Sequence, residues 1–314
     1  IRSLIGIAPS KKSKRHKKKI GVQSHTLDIG GAERQVSYLL RLLGKGVIKS
    51  HDFALITDVI PSESERHKSY YPRLDGFEFD IFEYSKSHYN LERMENAEQF
   101  ERIISHLSPL KNRRVNSLAA IYSANEFGIV HTWQDWCNIY GGVAALVSGV
   151  DRIIMSARTM PPHDKGRLQA RSGRSYGESY KLLLQTGKII LTHNSQTGSD
   201  SYGEWLDIPT NEFQVVHNGI ELAEYMGGSS KGANAMRKSL GIPNGAVVVG
   251  TVGRFTSDKR PWIFLSIAEN IICNWRDGSR SRKLAEWCAQ MGNDEGVSSQ
   301  VPPESVEVEG EGLS

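Results

Sequence analysis

The chain has 314 residues, of which 39% are hydrophobic and 24% are charged, and its formal net charge is +4. This length suffices for two ordinary domains, and the composition is that of a folded globular protein. No apolar run reaches the ~20 residues that a membrane-spanning helix needs. The three cysteines are isolated in sequence, which argues against a disulfide framework or a zinc site and favours a reducing compartment: Cys137, Cys273 and Cys288.

The predicted elements of the first 217 residues alternate between apolar strands and helical patterns. Strands are predicted at Ile20–His25, Asp52–Thr57, Gly76–Phe82, Gly128–His131, Asp151–Ala157, Lys188–Thr192 and Phe213–Val216. Helices are predicted at Ala32–Leu43, Leu91–Leu107, Trp136–Val147 and Ser195–Leu206. Such alternation implies parallel pairing, so residues 19–217 are predicted to form a doubly wound α/β domain.

A second α/β domain is predicted from residue 218, where an Asn-Gly turn signal follows a strand. Its predicted elements are a loop at Met226–Gly232, a helix at Ala233–Leu240, a buried strand at Ala246–Thr251 and helices at Pro261–Ile272 and Leu284–Met291. Residues 218–298 are too few for a complete doubly wound domain. The second domain is therefore predicted to be incomplete, and the acidic residues 299–314 are predicted to be disordered.

The charge is concentrated near the start of the chain. Seven of the nine residues of Lys11–Lys19 are Lys or Arg. Residues 1–18 are interpreted first as a solvated linker or tail. Contact with an anionic membrane is the second interpretation, because clustered basic residues are attracted to acidic lipids. A nucleic-acid partner is disfavoured, because no aromatic residues are interleaved with the charges and no recognition module follows.

Two turns place glycine where a backbone can approach an anionic ligand closely. Gly30-Gly31 follows the first strand and opens a helix, whose first amide groups suit a phosphate. The loop Val252–Pro261 follows the predicted strand Ala246–Thr251 and carries Arg254 and Lys259, a planar fork and a point charge for a diphosphate. A structural turn and a solvated loop are the respective alternatives. Together the turns predict two α/β domains that close on one anionic ligand, a sugar nucleotide.

Three motifs together resemble the retaining glycosyltransferases of family 4, which have the GT-B fold. They are Gly-Gly-Ala-Glu-Arg-Gln at 30–35, His-Asn-Gly-Ile at 217–220 and Val-Gly-Arg-Phe…Asp-Lys-Arg-Pro at 252–261. Their order and spacing match over residues 19–272. The resemblance implies two facing Rossmann-like domains, with a nucleotide-sugar donor on the second and a glycan or lipid-linked acceptor on the first.

The resemblance also implies an activity and its setting. It implies that a hexose-type sugar is transferred with retention, in cell-surface polysaccharide or lipopolysaccharide biosynthesis. No cofactor and no metal are expected, because cations of the protein would take the metal's role. The expected location is cytoplasmic, with peripheral contact at the inner face of the membrane if Lys11–Lys19 binds lipid.

Individual roles follow from the same resemblance. Arg254 and Lys259 would bind the donor diphosphate and stabilise the leaving group, and Gly30 and Gly31 would contact the donor. His131 matches the histidine that contacts the transferred sugar; a hydrogen-bonded core histidine is the alternative.

Three further sets of residues are predicted to lie near the cleft between the two facing domains. Arg158 is expected to line the acceptor site, with a plain surface arginine as the alternative. Asn218 and Gly219 border the substrate and are favoured as hinge rather than catalyst. Trp133 and Trp136 could stack on a sugar, although core packing is the favoured interpretation.

One feature of the family is missing from this sequence. The family carries a Glu-x7-Glu pair late in the second domain, where it holds the donor, and no such pair follows Lys259. Glu204 and Glu212 have the spacing but precede the domain junction, and Glu286 and Asp294 stand in the wrong place. The alternative function is therefore an inactive, truncated glycosyltransferase that acts only as a binding module.

Overall fold

The structure is a computed structural model, and it describes residues 19–48, 52–85, 109–162, 167–226, 230–243, 245–256 and 259–274. The chain divides into two compact units, residues 1–226 and 227–314. The helices predicted at Leu91–Leu107 and Leu284–Met291, the acidic tail and the basic run up to Lys18 lie outside the described residues.

The first unit is built on a seven-stranded parallel sheet with strand order β3-β2-β1-β4-β5-β6-β7. The strands are β1 Lys19–Gln23, β2 Phe53–Thr57, β3 Asp80–Glu83, β4 Phe127–Trp133, β5 Arg152–Ala157, β6 Ile189–His193 and β7 Phe213–Val215. The helices are α1 Gly31–Gly44, α2 Pro109–Ala124, α3 Gln134–Val147, α4 Arg167–Leu184, α5 Gln196–Leu206 and α6 Leu222–Met226. Short 3-10 turns lie at Arg66–Lys68, Tyr71–Leu74 and Thr210–Glu212.

The sheet is covered on both faces, as a doubly wound fold requires. Ala54 and Ile56 pack in one core cluster with residues of α2 and α3, whereas Leu55 packs in a second cluster with residues of α1. This division follows from the strand itself, because successive side chains of a strand point to opposite faces. The predicted α/β class and all seven strands of the first unit are thus confirmed, with boundaries shifted by a few residues.

Besides the short helix α6, two helices of the first unit were not predicted. The first, α2, buries Val115, Leu118 and Ile121, but these are diluted in the sequence by polar residues. The second, α4, contains Gly173 and Gly177, which disfavour an isolated helix. At Gly177 the glycine has a packing reason, because a Cβ there would lie 3.4 Å from the Trp205 ring. Tertiary packing therefore stabilises helices that local propensity does not indicate.

The glycine pair in α3 provides a matched test of this packing. A Cβ at Gly141 would lie 1.7 Å from Oε1 of the buried Gln23, which accepts a 2.9 Å hydrogen bond from Tyr122. We expect Gly141→Ala to lower the free energy of unfolding by about 2–3 kcal/mol, because the methyl group must displace Gln23 and break that bond. Urea denaturation of the two variants Gly141→Ala and Gly142→Ala measures the difference.

Gly142→Ala is the control for this prediction. The nearest atoms to a Cβ at Gly142 are 3.3 Å away, on Leu183 and Met155, which can adjust by small movements. Its unfolding free energy should stay within about 1 kcal/mol of the wild type, since alanine also favours the helix. Equal midpoints for the two variants would show that Gly141 is not a close-packing position.

The segment that follows β7 packs back against α1. The side chain of Gln35 exchanges two hydrogen bonds with the backbone of Gly219, at 2.8 and 2.9 Å. Glu221 and Glu224 then receive hydrogen bonds or ion pairs from four side chains: Tyr38, Arg41, Lys45 and Arg73. A domain boundary was predicted after His217. In the structure these contacts join the residues up to Glu224 to the first unit, which ends at Met226.

The described part of the second unit contains two helices, α7 Ser230–Ser239 and α8 Pro261–Asn274. Both helices were predicted. The loop predicted over Met226–Gly232 is wrong at its two ends, because α6 ends at Met226 and α7 begins at Ser230.

The buried strand predicted at Ala246–Thr251 is wrong for this structure. Val247 and Val249 are 90% and 74% exposed, and the run has no strand conformation. A parallel strand is held by hydrogen bonds to its neighbours, and no described residue of the second unit lies in a neighbouring strand.

Candidate functional site

The strand order of the first unit reverses between β1 and β4. In open α/β sheets, ligands bind outside the carboxyl ends of the strands at such a switch point. Four of the predicted site residues lie at this edge of the sheet. Gly30 and Gly31 begin α1 after β1, His131 lies near the end of β4, and Arg158 follows β5.

Glu33, in the first turn of α1, lies beside the glycine that precedes the helix. Gly30 caps the helix in an extended conformation, and a Cβ there would lie 2.1 Å from the Glu33 carboxylate. By contrast, no heavy atom lies within 4 Å of a Cβ at Gly31, so the space beside it is open. Glu33 is itself stabilised by the positive end of the helix. An anionic ligand at Gly31 would therefore share this helix end with the Glu33 carboxylate.

Gln134 connects the first turns of α1 and α3. Its side-chain Nε2 donates to Glu33 Oε1 at 2.8 Å. Its backbone has φ of +71°, a left-handed conformation that costs a non-glycine residue about 1–2 kcal/mol. Strained residues of this kind cluster at functional sites. Gln134 is thus held at the switch point at some cost in backbone energy.

His131 is held by a chain of hydrogen bonds that crosses three strands. Its Nε2 lies 2.7 Å from Ser156 Oγ on β5, and Ser156 Oγ lies 2.6 Å from Thr192 Oγ1 on β6. Its ring also packs against Trp133, with centroids 4.9 Å apart. Burial, with the nearby positive charge of Arg158 as the smaller cause, lowers the pKa of His131 to about 3. The imidazole is therefore neutral at neutral pH and fixed in orientation.

Arg158 contacts the same Trp133 ring against which His131 packs. Its guanidinium carbon lies 4.5 Å from the centre of the Trp133 ring, and its Nη2 donates to Asn218 Oδ1. Burial lowers the pKa of Arg158 to about 10, so the side chain remains a cation at neutral pH. His131, Arg158 and Asn218, which were predicted separately, are thus brought together around Trp133.

The two tryptophans near this edge are packed against other side chains, so neither presents a free ring face for stacking on a sugar. Trp133 is only 6% exposed and lies between His131 and Arg158, so it acts as packing for these side chains. Trp136 is half-buried, and its ring lies 4.6 Å from that of Tyr140. Both positions agree with the core-packing interpretation.

Arg254 and Lys259 lie in the second unit, on one tight loop. The Thr256 amide donates to the Arg254 carbonyl at 3.0 Å, and the Lys259 amide donates to the Thr256 carbonyl at 3.0 Å. Both residues are exposed. The loop leads directly into α8 at Pro261, so the two cations precede a helix N-terminus, as the sequence predicted.

Sequence reasoning missed the polar residues beside His131 at the ends of β5 and β6. Ser156, Thr192 and His193 were not singled out, although each is a polar residue in the last two positions of an apolar strand. His193 accepts a 3.2 Å hydrogen bond from the Ser195 amide, and burial lowers its pKa. Polar residues at strand ends were the available signal, and it was used only for His131.

The lowered pKa of His131 predicts a pH effect on stability. The unfolded imidazole titrates near ~6.5 and the folded one near 3, so between these values the unfolded chain binds more protons. The stabilisation is complete above pH ~6.5 and is lost as the pH falls. The unfolding free energy decreases by at most about 1.4 kcal/mol for each pH unit, and by less here because the residue is partly exposed. We expect His131→Asn to reduce the fall in unfolding free energy between pH 7 and pH 5, measured with urea. Identical slopes would contradict this.

The described residues contain neither a metal-binding cluster nor a membrane-spanning helix. No group of three or more His, Cys, Asp or Glu side chains there is placed to hold a metal ion. No helix within the described ranges is both long and apolar enough to cross a bilayer.

Comparison with solved structures supports the fold. Sucrose-phosphate synthase from Thermosynechococcus elongatus aligns with a TM-score of 0.51 and 15% identity, over 87% of this chain and 68% of that one. The predicted α/β class of GT-B type is confirmed at the level of the fold. No protein-family model matches the chain.

Two curated proteins are similar in sequence. The Vi polysaccharide biosynthesis protein VipC/TviE of Salmonella typhi is 25% identical over 256 residues, which are 77% of this chain and 43% of that protein. The UDP-Gal:α-D-GlcNAc-diphosphoundecaprenol α-1,3-galactosyltransferase of Escherichia coli is 25% identical over 158 residues, 50% of this chain and 40% of that protein. The chain thus spans less than half the length of these curated relatives.

Proposed function

We propose that this chain is a glycosyltransferase that moves a sugar from a nucleotide-diphosphate donor to a glycan or lipid-linked acceptor, with retention of anomeric configuration. The observation that carries the proposal is the group of His131, Arg158 and Asn218 at the switch point, beside the start of α1. The similarity to a polysaccharide biosynthesis protein and to a galactosyltransferase supports a role in polysaccharide or lipopolysaccharide biosynthesis.

In the proposed reaction the bond between the anomeric carbon and the diphosphate oxygen breaks, and its electron pair leaves with the diphosphate. The acceptor oxygen bonds to the same carbon, and the acceptor proton passes to the medium. Arg254 and Lys259 would stabilise the charge on the leaving diphosphate, in place of a metal or other cofactor. His131, neutral and held by Ser156 through Nε2, would orient the transferred sugar.

Arg158 would face the acceptor side, together with Asn218, whose amide oxygen it already binds. Gly31 supplies the open space at the start of α1 that a donor group needs. We place the proposed reaction in the cytoplasm, as the family resemblance implies. Contact of Lys11–Lys19 with the inner face of an anionic membrane is part of the same proposal.

Calorimetric titration of the full chain with UDP, GDP and ADP tests the donor part of this proposal. Saturable binding of one nucleotide is the expected result and would identify the base of the donor. If none of the three binds, the alternative of an inactive binding module replaces the enzyme.

A further inference from the structure

A second cluster of polar residues lies on the other side of the switch point, at the carboxyl ends of β1, β2 and β3. His25 follows β1, Asp58 follows β2 and Tyr84 follows β3. Backbone hydrogen bonds join the three turns: the Asp58 amide donates to the His25 carbonyl at 2.9 Å, and the Tyr84 amide to the Thr57 carbonyl at 3.0 Å. The cluster is therefore held by the sheet itself.

Asp58 is the centre of this cluster. Its Oδ2 lies 3.3 Å from Nη2 of Arg114, on α2, and 3.5 Å from Nδ1 of His25. The side chain is only 7% exposed, and its other oxygen, Oδ1, is buried without a hydrogen-bond partner among the described residues. Buried carboxylate oxygens are normally hydrogen-bonded, so an unpartnered one indicates that a donor is missing.

Two side chains of the cluster are open to solvent, whereas Asp58 lies beneath them. The side chains of His25 and Arg114 are 45% and 34% exposed. Both are held by Trp136: the Arg114 guanidinium carbon lies 5.0 Å from its ring centre, and the His25 ring centre lies 5.3 Å away. Tyr84 Oη also lies 3.3 Å from His25 Nδ1. The exposed donors of Arg114 and the buried acceptor of Asp58 are thus close neighbours with fixed orientations.

The chemistry of the cluster selects its ligand. A free anion is disfavoured by the buried Asp58 carboxylate, and a metal cation is disfavoured by Arg114 at 3.3 Å. A neutral group that both donates and accepts hydrogen bonds satisfies Asp58, which only accepts, and Arg114, which only donates. Neighbouring hydroxyl groups of a sugar ring have this property.

We propose that His25, Asp58 and Arg114 form a binding subsite for a hydroxyl-rich sugar ring of the acceptor. The assignment of this sugar to the acceptor rests on the proposed function; the binding itself does not. One hydroxyl accepts from the exposed guanidinium of Arg114, and a neighbouring hydroxyl donates to Asp58 Oδ1 once the side chains that now cover this oxygen move aside.

The test uses the full chain and two probes, methyl α-glycosides of N-acetylglucosamine and of galactose, with binding followed by saturation-transfer NMR and by tryptophan indole shifts. We expect one probe to bind in the wild type and to bind at least about tenfold more weakly to Asp58→Asn, since hydrogen bonds to a charged group contribute strongly. Asp52→Asn is the matched control, because Asp52 is exposed and precedes the same strand that Asp58 follows. It should bind as the wild type does.

Two results would overturn the proposal: no binding of either probe to the wild type, or unchanged affinity in Asp58→Asn. If thermal unfolding shows that Asp58→Asn does not fold, the titration is made with His25→Gln and Arg114→Gln, and wild-type affinity in both would be decisive against it. Because no nucleotide is present, failure here is distinguishable from failure of donor binding.

Discussion

Replacing Arg254 with alanine is expected to weaken binding of the donor nucleotide about 10- to 100-fold. The reason is that a bidentate, charge-assisted hydrogen bond to a diphosphate contributes about 1.5–3 kcal/mol. Lys259→Ala should weaken binding less, by about tenfold, because an ammonium group offers a point charge rather than a fork. Calorimetric titration of each variant with the nucleotide that binds the wild type measures both effects.

Lys238→Ala is the matched control for these two variants. Lys238 is an exposed cation in the last turn of α7, in the same unit, so its removal changes the net charge by the same amount. A loss of affinity that is equal in the control would indicate a general charge effect. Wild-type affinity in Arg254→Ala would contradict its proposed role at the diphosphate.

Replacing His131 with alanine is expected to lower the turnover number about 100- to 1,000-fold while nucleotide affinity stays near the wild-type value. The expected size follows from the loss of an oriented polar contact at the reacting centre. The split between turnover and binding follows because His131 would contact the sugar and not the nucleotide. Initial-rate measurements at saturating donor, with calorimetry for the nucleotide, separate the two quantities.

Ser156→Ala tests whether the orientation of His131 matters. Ser156 Oγ is the 2.7 Å partner of His131 Nε2, and its removal leaves the imidazole in place without its fixed hydrogen bond. We expect an intermediate loss of turnover, about tenfold, and recovery in Ser156→Thr, which restores a hydroxyl. A fully active Ser156→Ala enzyme would show that the hydrogen-bond chain to Thr192 only stabilises the sheet.

The sequence predicted best those parts of the fold whose signal is local. The inner strands β1, β2, β4, β5 and β6 each contain a short, mostly buried apolar run, and Gly30-Gly31 marks the start of α1. The placement of His131 at the end of β4 followed from one such run. These predictions succeeded because burial of a parallel strand on both faces leaves a continuous hydrophobic pattern.

The parts that failed depend on contacts between distant residues. No local pattern indicates that Ser156 and Thr192 continue a hydrogen-bond chain from His131, because the chain exists only when β4, β5 and β6 pair in register. The return of Gly219 to Gln35 likewise joins residues that are 184 positions apart. The exposed run Ala246–Thr251 shows the converse, since an apolar pattern forms a strand only where a neighbouring strand is present.

The most direct test of the proposed activity measures cleavage of the nucleotide-sugar donor in the absence of an acceptor. The full chain is incubated with UDP-galactose, UDP-N-acetylglucosamine and a GDP-hexose, and the released nucleotide and the anomer of the released sugar are followed by proton NMR before mutarotation. We predict slow release of one nucleotide, with the sugar first appearing in its original anomeric form and with release at least about 100-fold slower in His131→Ala. Release with inverted configuration would contradict retention. No release from any donor by a chain that binds the nucleotide would contradict the glycosyltransferase itself.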